Sequence, residues 1–322
     1  MINLALLYTR QSRPISVAAI LDIFESVNNF NAIKQLPPAF SIQLLNNGDT
    51  ITVHEKYQTV NTADAQKPDV ILIPAFNSMA DMEEAVRSNH SFIPWIQQQC
   101  RQGAEAASFC TGAFLLAATG LLNGKKATTH VMATGSLSRA FPDVMVQGDD
   151  VLTCDDGIYT SGGATNTFHL LLYLVEKYCG RDAAVQIAKM FSIDMDRDRQ
   201  NYFATFLPEK NHNDPLVATV QQRMESAYAQ SATIEEIVGD IPSSRRNFVR
   251  RFKHATGITP IEYLQRTRIE GAKKLLEKTN QSITEIMFNS GYNDLKSFRQ
   301  LFKKGVGLTP KEYRDKFQAS NS

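Results

Sequence analysis

The sequence predicts two domains: an α/β domain with a mostly parallel sheet and helices on both faces, then an all-α domain with two helix-turn-helix units. Three observations predict this. Short apolar runs alternate with helical spacing through the first part of the 322-residue chain, the pattern of βαβ units. Beyond it, one design occurs twice at an offset of fifty residues, as Phe248 and Phe298, Phe252 and Phe302, and Gly257 and Gly307 show. A fixed period of this size marks an internal duplication. Charge is also divided: from Ser231 onward 17 Lys and Arg face 10 Asp and Glu, which leaves 17 against 23 in the rest of a chain of formal net charge +1. A basic end beside an acidic body suits a polyanionic partner for the basic part alone.

Ile2 to Tyr8 is an apolar run, read as the first strand. Val17 to Val27 sets Ile20, Ile23, Phe24 and Val27 at helical spacing. Phe40 to Leu45 and Ile51 to His54 read as strands around the turn Asn46-Asn47-Gly48-Asp49. Val70 to Ile73 is a strand stopped by Pro74, and Phe92 to Cys100 is helical. Ala104 to Phe109 is a small-residue strand running into a helix at Cys110. Ile158 to Ser161 is a strand, Gly162-Gly163 a turn, and Phe168 to Tyr178 and Ala183 to Met190 are helices. A polar, Pro-bearing stretch from Asp194 to Pro215 then breaks the texture, dividing the chain into 1–195, a linker 196–214, and 215–322. Leu216 to Ala229 is the helix that opens the second domain.

In that domain Thr233-Ile-Glu-Glu-Ile-Val238 precedes a Gly239-Asp-Ile-Pro242 break, with Ser243 or Ser244 as cap of the next helix. Ser282-Ile-Thr-Glu-Ile-Met287 precedes a break at Gly291, with Asp294 as cap. Helix, tight break, basic helix is the helix-turn-helix order. On a helical wheel Phe248 and Phe252 oppose Arg246, Arg250 and Lys253, while Phe298, Leu301 and Phe302 oppose Lys296, Gln300 and Lys303. One such helix alone reads as readily as a solvated basic face. Two in register, each preceded by a helix and a break, point to helices for DNA grooves, anchored by the aromatics and reading with the long donors.

The four cysteines, Cys100, Cys110, Cys154 and Cys179, form no CxxC pair and no Cys/His metal spacing, so no metal is expected. The start lacks the basic region of a signal peptide, and no apolar run spans a bilayer. A cytoplasmic location without a membrane partner is the expectation. In Ser108-Phe-Cys110-Thr-Gly112 a strand turns sharply into a helix. Such a turn exposes the cysteine to helix N–H groups, which lowers a thiol's pKa. His130, in Ala127-Thr-Thr-His130, could approach it, and Cys with His is the minimum for nucleophilic chemistry. The same donors also make an anion or ligand pocket, and a lone buried cysteine is commonly a small apolar filler.

With these residues in hand, two family resemblances stand out. Ser244 to Phe252, Gly257-Ile-Thr-Pro260, Gly307-Leu-Thr-Pro310 and Glu312-Tyr-Arg314 resemble the DNA-binding domain of the AraC/XylS family of transcription regulators. Ser108-Phe-Cys110-Thr-Gly112, Gly120-Leu-Leu-Asn-Gly124, Ala127-Thr-Thr-His130 and Tyr159-Thr-Ser-Gly-Gly163 resemble the DJ-1/PfpI group of the class I glutamine amidotransferase-like fold, a flavodoxin-like arrangement. In this order, and over nearly the whole chain, they resemble regulators of the GlxA type. The resemblance implies a sensor and dimerisation domain at 1–195 and a double helix-turn-helix domain at 215–322, entering successive major grooves roughly 34 Å apart. By motif position it implies Arg246, Arg250, Lys296, Arg299 and Gln300 as base readers. Arg245, Lys253 and Lys303 would be phosphate contacts, with Asn247 among the DNA-binding set. Cys110, Thr111, Gly112, His130, Ser161 and Gly162 would line a ligand pocket.

The family's enzymes carry a carboxylate near the start of the first helix. Here that place falls near Ser16, and no Glu lies between Met1 and Phe24. No catalytic residue and no cofactor are therefore expected. The expectation is a homodimeric regulator of transcription that binds double-stranded operator DNA and a small-molecule effector. Two alternatives remain open: a Cys-dependent hydrolase, amidase or glyoxalase-like enzyme, and a redox switch at Cys110.

Overall fold

The structure is a computed structural model that describes the chain except residues 49–50, 54–56, 78–80, 164, 196–198, 211, 240, 242–243 and 319–322. The expected turn at Asp49, strand end at His54, linker residues 196–198 and 211, break residues Asp240 and Pro242, and cap Ser243 lie outside the described residues. The chain divides into two compact units, Met1–Gln200 and Asn201–Ser322.

The first unit runs β1 (Ile2–Leu7), α1 (Pro14–Ile33), β2 (Phe40–Asn46), β3 (Thr52–Val53), β4 (Tyr57–Asn61), β5 (Val70–Ile73), α2 (Met82–Arg87), α3 (Phe92–Arg101), β6 (Glu105–Phe109) and α4 (Ala113–Ala118). It continues with β7 (Lys126–Ala127), α5 (Thr134–Ala140), β8 (Met145–Val146), β9 (Leu152–Asp155), β10 (Ile158–Ser161), α6 (Asn166–Cys179) and α7 (Arg181–Met190). Eight strands make one sheet in the order β3-β4-β2-β1-β5-β6-β10-β9. The inner six pair in parallel, and β3 and β9 add antiparallel edges. The strands expected either side of the Asn46 turn do not pair, because β4 lies between them. The short strands β4 and β9 carry no continuous apolar run, so nothing in them signals a strand.

Period-two alternation places the sheet between two layers. Leu4, Leu6, Val70, Leu72, Ala107 and Phe109 pack on α1, α6 and α7, while Ala5, Leu7, Ile71, Ile73 and Ala106 pack on α3 and α4. Each fully buried Leu, Ile, Val or Phe among them contributes about 1.5–3 kcal/mol. Strand order reverses between β1 and β5. In open α/β sheets that reversal leaves a crevice beyond the carboxyl ends of the strands, where ligands bind. Cys110 follows β6 there, and Gly162 follows β10.

The second unit is helical: α8 (Pro215–Ala227), α9 (Ile234–Val238), α10 (Arg245–Thr256), α11 (Pro260–Lys278), α12 (Ile283–Asn289), α13 (Leu295–Val306) and α14 (Pro310–Phe317). It has two separate cores, one around Phe248, Phe252 and Tyr263, the other around Phe298, Phe302 and Tyr313. Helix α11 serves both, giving Tyr263 and Leu264 to the first and Ala272 and Leu276 to the second. The stretch read as a linker carries packed side chains. Gln200 is buried in the first unit, whereas Tyr202 and Phe206 join the cores of the second. Aromatic side chains in a polar stretch still bury when a neighbouring core accepts them.

Candidate nucleic-acid interface and elbow site

Local chemistry sets both recognition-type helices. Ser244 Oγ accepts from Asn247 N–H at 3.4 Å, and Asp294 Oδ1 accepts from Ser297 N–H at 2.7 Å. Both helices end at a left-handed glycine, Gly257 at φ 79° and Gly307 at φ 85°, where a side chain would be strained. The preceding helices α9 and α12 begin with capping boxes, Thr233 with Glu236 and Ser282 with Glu285. Cap-to-cap spacing is 11 residues from Thr233 to Ser244 and 12 from Ser282 to Asp294. The difference lies in the first helix of each copy, five residues in α9 and seven in α12, and Gly291 adopts φ 78° in the break that follows α12.

The buried rings fix which face turns outward. Phe248 packs in a tilted contact on Phe252 at 5.6 Å between centroids, and Phe298 likewise on Phe302 at 5.8 Å. Arg245, Arg246, Asn247, Arg250 and Lys253 on α10, and Lys296, Arg299, Gln300 and Lys303 on α13, are all exposed. Arg245 bridges to Glu235 at 2.6 Å, and Arg250 Nη2 donates to Asn247 Oδ1 at 3.2 Å. Arg251, by contrast, is taken up by Asp214, the N-cap of α8. Among the described residues no acidic side chain lies within ion-pair distance of Arg246, Lys253, Lys296, Arg299 or Lys303. An exposed pair such as Arg245–Glu235 contributes only about 0.2–1 kcal/mol, so a phosphate can replace the carboxylate at little cost.

At the elbow, Cys110 takes φ 53°, in the left-handed region that a non-glycine residue rarely adopts. Cys110–Gly112 form one 3₁₀ turn before α4. Gly112 is required by packing, since a Cβ there would lie 2.6 Å from the Pro74 carbonyl oxygen and 2.7 Å from that of Ile73. Thr111 Oγ1 accepts from Phe76 N–H at 2.8 Å, and Thr129 Oγ1 donates to the Cys110 carbonyl at 2.9 Å. The expected exposed, acidified thiol is not found. Cys110 is 1% exposed. Burial pushes its pKa up, outweighing the opposing effects of the Thr111 backbone, the Arg13 charge and the Thr111 side chain. No hydrogen bond joins Cys110 to His130 among the described residues. Burial first, then Arg13, holds the His130 pKa below its usual value. Ser16 Oγ, at the place of the family's carboxylate, accepts from Ala75 N–H at 3.1 Å.

The structure therefore gathers Cys110, Thr111, Gly112, His130, Ser161 and Gly162 around the carboxyl ends of β6 and β10, and adds two residues that sequence reasoning missed. Arg13 acts electrostatically on both Cys110 and His130. Its signal was its position just after the first strand at a switch point. Gln200 packs against Gly162, and nothing in a polar stretch marks it. Ser108 Oγ, Ser161 Oγ and Arg13 Nε are buried without a hydrogen-bond partner among the described residues.

The DJ-1/PfpI family model matches residues 44–177, and a helix-turn-helix domain model matches residues 241–316. The chain is 26% identical over 234 residues to the HTH-type transcriptional regulator GbdR of Pseudomonas aeruginosa strain UCBPP-PA14, covering 72% of this chain and 63% of that protein. It is 25% identical over 222 residues to the HTH-type transcriptional regulator GlxA of Rhizobium meliloti strain 1021, covering 68% of each. The chain thus spans slightly less than two thirds of GbdR. A Vibrio parahaemolyticus crystal structure, described as that of a candidate transcriptional regulator, superposes with TM-score 0.50 at 18% identity, over 59% of this chain and 98% of that one. At that identity the likeness concerns fold alone.

Proposed function

We propose that this chain, which joins a DJ-1/PfpI domain to an AraC-type helix-turn-helix domain, is a sequence-specific DNA-binding regulator of transcription. It works in the cytoplasm as a homodimer and responds to a small metabolite. One observation carries the DNA-binding reading: the same capped, aromatic-anchored helix occurs twice, and each copy turns an exposed row of Arg and Lys with an amide side chain outward, Asn247 in α10 and Gln300 in α13. Arg246 and Arg250 suit guanine, and Gln300 suits adenine. Arg245, Lys253 and Lys303 set register on phosphates. No helix among the described residues is long and apolar enough to cross a membrane.

The first unit is read as a sensor. Arg13 beside the elbow and the unpartnered Ser108 and Ser161 hydroxyls support a pocket for a polar effector. A buried, raised thiol with a serine in the carboxylate's place supports a non-catalytic role. Effector acts by binding two arrangements of the protein with different affinity.

The test is a genomic-fragment binding selection with purified protein, repeated with Arg246→Ala and Lys296→Ala across a salt series. One motif should be enriched. Each variant should lose about 1–3 kcal/mol and relax preference at its own positions. Binding that only weakens with salt, with no motif, would leave non-specific attachment and refute the reading.

A further inference from the structure

Gln200 is the last residue of the first unit, and its side chain is 1% exposed. Oε1 accepts from Gly163 N–H and from Asn166 Nδ2, both at 3.0 Å. Nε2 faces four acceptors: Thr128 Oγ1 at 3.1 Å, and the carbonyls of Thr129 at 3.0 Å, Gly148 at 3.2 Å and Asp150 at 3.2 Å. The Gln200 N–H donates to the Asp149 carbonyl at 2.9 Å. One buried amide thus ties the His130 loop to the turn after β10. Gly162 makes room for it, since a Cβ there would lie 2.1 Å from Gln200 Oε1. At Gly163 a Cβ would meet His130 Cδ2 at 3.4 Å. The elbow joins the same wall: Thr129 donates to the Cys110 carbonyl through its hydroxyl and accepts from Gln200 through its own carbonyl. Two hydrogen bonds therefore lead from the elbow to the residue at which the chain leaves the unit.

We propose that Gln200 is a latch that reports the state of the elbow site to the start of the DNA-binding unit. With the 128–130 and 161–166 walls at their present spacing, the amide is fully bonded and the exit is held. An effector that shifts either wall breaks a network centred on a buried amide, and withdrawing that amide orphans donors and acceptors together. The exit is then released from residue 199 onward, an order-to-disorder change with a defined trigger. This inference rests on the sensor reading for its trigger, not for the latch itself.

The test uses the full chain with Gln200→Ala, Gly162→Ala and the double substitution. Gly162 is not in the left-handed region, so its alanine acts only through the crowded Gln200 and Asn166 side chains, 2.1 Å and 2.5 Å from the new Cβ. Amide hydrogen exchange at 128–130 and 199–203 should quicken at least roughly tenfold in each single variant, with β1 unchanged. The double variant should exchange close to Gln200→Ala alone, because the nearer clash partner is gone and only the flexible end of the Asn166 side chain still faces the new Cβ. Affinity for the selected operator should shift by one common factor in all three. Unchanged exchange at 199–203, or effects that add in the double variant, would overturn the latch. Quickened exchange with unchanged operator affinity would overturn the coupling. Failure to enrich any operator would instead sink the regulator reading, while the exchange results still decide the latch.

Discussion

Tyr263 and Tyr313 occupy the same place in the two helix-turn-helix copies, and their phenylalanine variants test whether the duplicated cores are energetically separate. Tyr263 Oη donates to Glu225 Oε1 and Tyr313 Oη to Glu277 Oε1, each at 2.6 Å. A hydrogen bond to a charged acceptor contributes about 1.5–3 kcal/mol, less where water can replace the donor. Both carboxylates reach partial solvent, which pulls the figures down. Glu225 also keeps its Lys210 ion pair at 2.7 Å, so Tyr263→Phe should cost about 1 kcal/mol and Tyr313→Phe about 2 kcal/mol. For a helical unit of this size that corresponds to melting shifts of roughly 4 °C and 8 °C. Far-ultraviolet circular dichroism of the full chain reads these shifts. The single tryptophan, Trp95, lies in α3 of the first unit, so its fluorescence gives an internal control and should melt as in the parent. A larger shift for Tyr263→Phe than for Tyr313→Phe, or a Trp95 transition that follows the helical one, would refute the assignment of independent braces.

The capping carboxylates give a pH dependence. Glu236, Glu285 and Glu312 are each held below the ordinary carboxylate range, first by the backbone N–H groups of Thr233, Ser282 and Thr309. A folded pKa below the unfolded one means stabilisation that is present above about pH 4.3 and lost as pH falls through the depressed values. The helical melting midpoint should be flat from about pH 7 to 5 and drop below about 4, and the triple Glu→Gln variant should flatten that drop when melted by circular dichroism. Gly112→Ala should lower the Trp95 midpoint by at least about 1–3 kcal/mol equivalent, because the new Cβ meets two carbonyls under 3 Å, whereas Gly48→Ala, with nothing within 4 Å, should leave it unchanged in the same urea titration. Iodoacetamide labelling followed by mass spectrometry should modify exposed Cys154 first and buried Cys110 last; early labelling of Cys110 would revive the redox-switch alternative.

Much of the second unit was legible because its determinants are local. Caps at Ser244 and Asp294, glycines 257 and 307, and the Phe248/Phe252 and Phe298/Phe302 pairs each act within a few residues, and the fifty-residue offset doubles every signal. The alternation of strands and helices in the first unit was legible for the same reason. Two strands were not: β4 and β9 are held by neighbours in the sheet rather than by their own apolar pattern. The elbow was half legible. Its backbone turn at Cys110 follows from the strand-to-helix sequence, but the state of the thiol does not.

By itself the sequence determined the two-unit order, the duplicated helices, the outward row of cationic side chains and the location of the elbow. Periodicity and capping are properties of neighbouring residues, so they can be read along the chain. The tertiary structure alone decided that Cys110 is buried with a raised pKa, that Arg13 charges the same crevice, and that Gln200 reaches back 72 residues to Thr128. Burial and long-range hydrogen bonds depend on which distant strands close around a residue, and no local pattern carries that information.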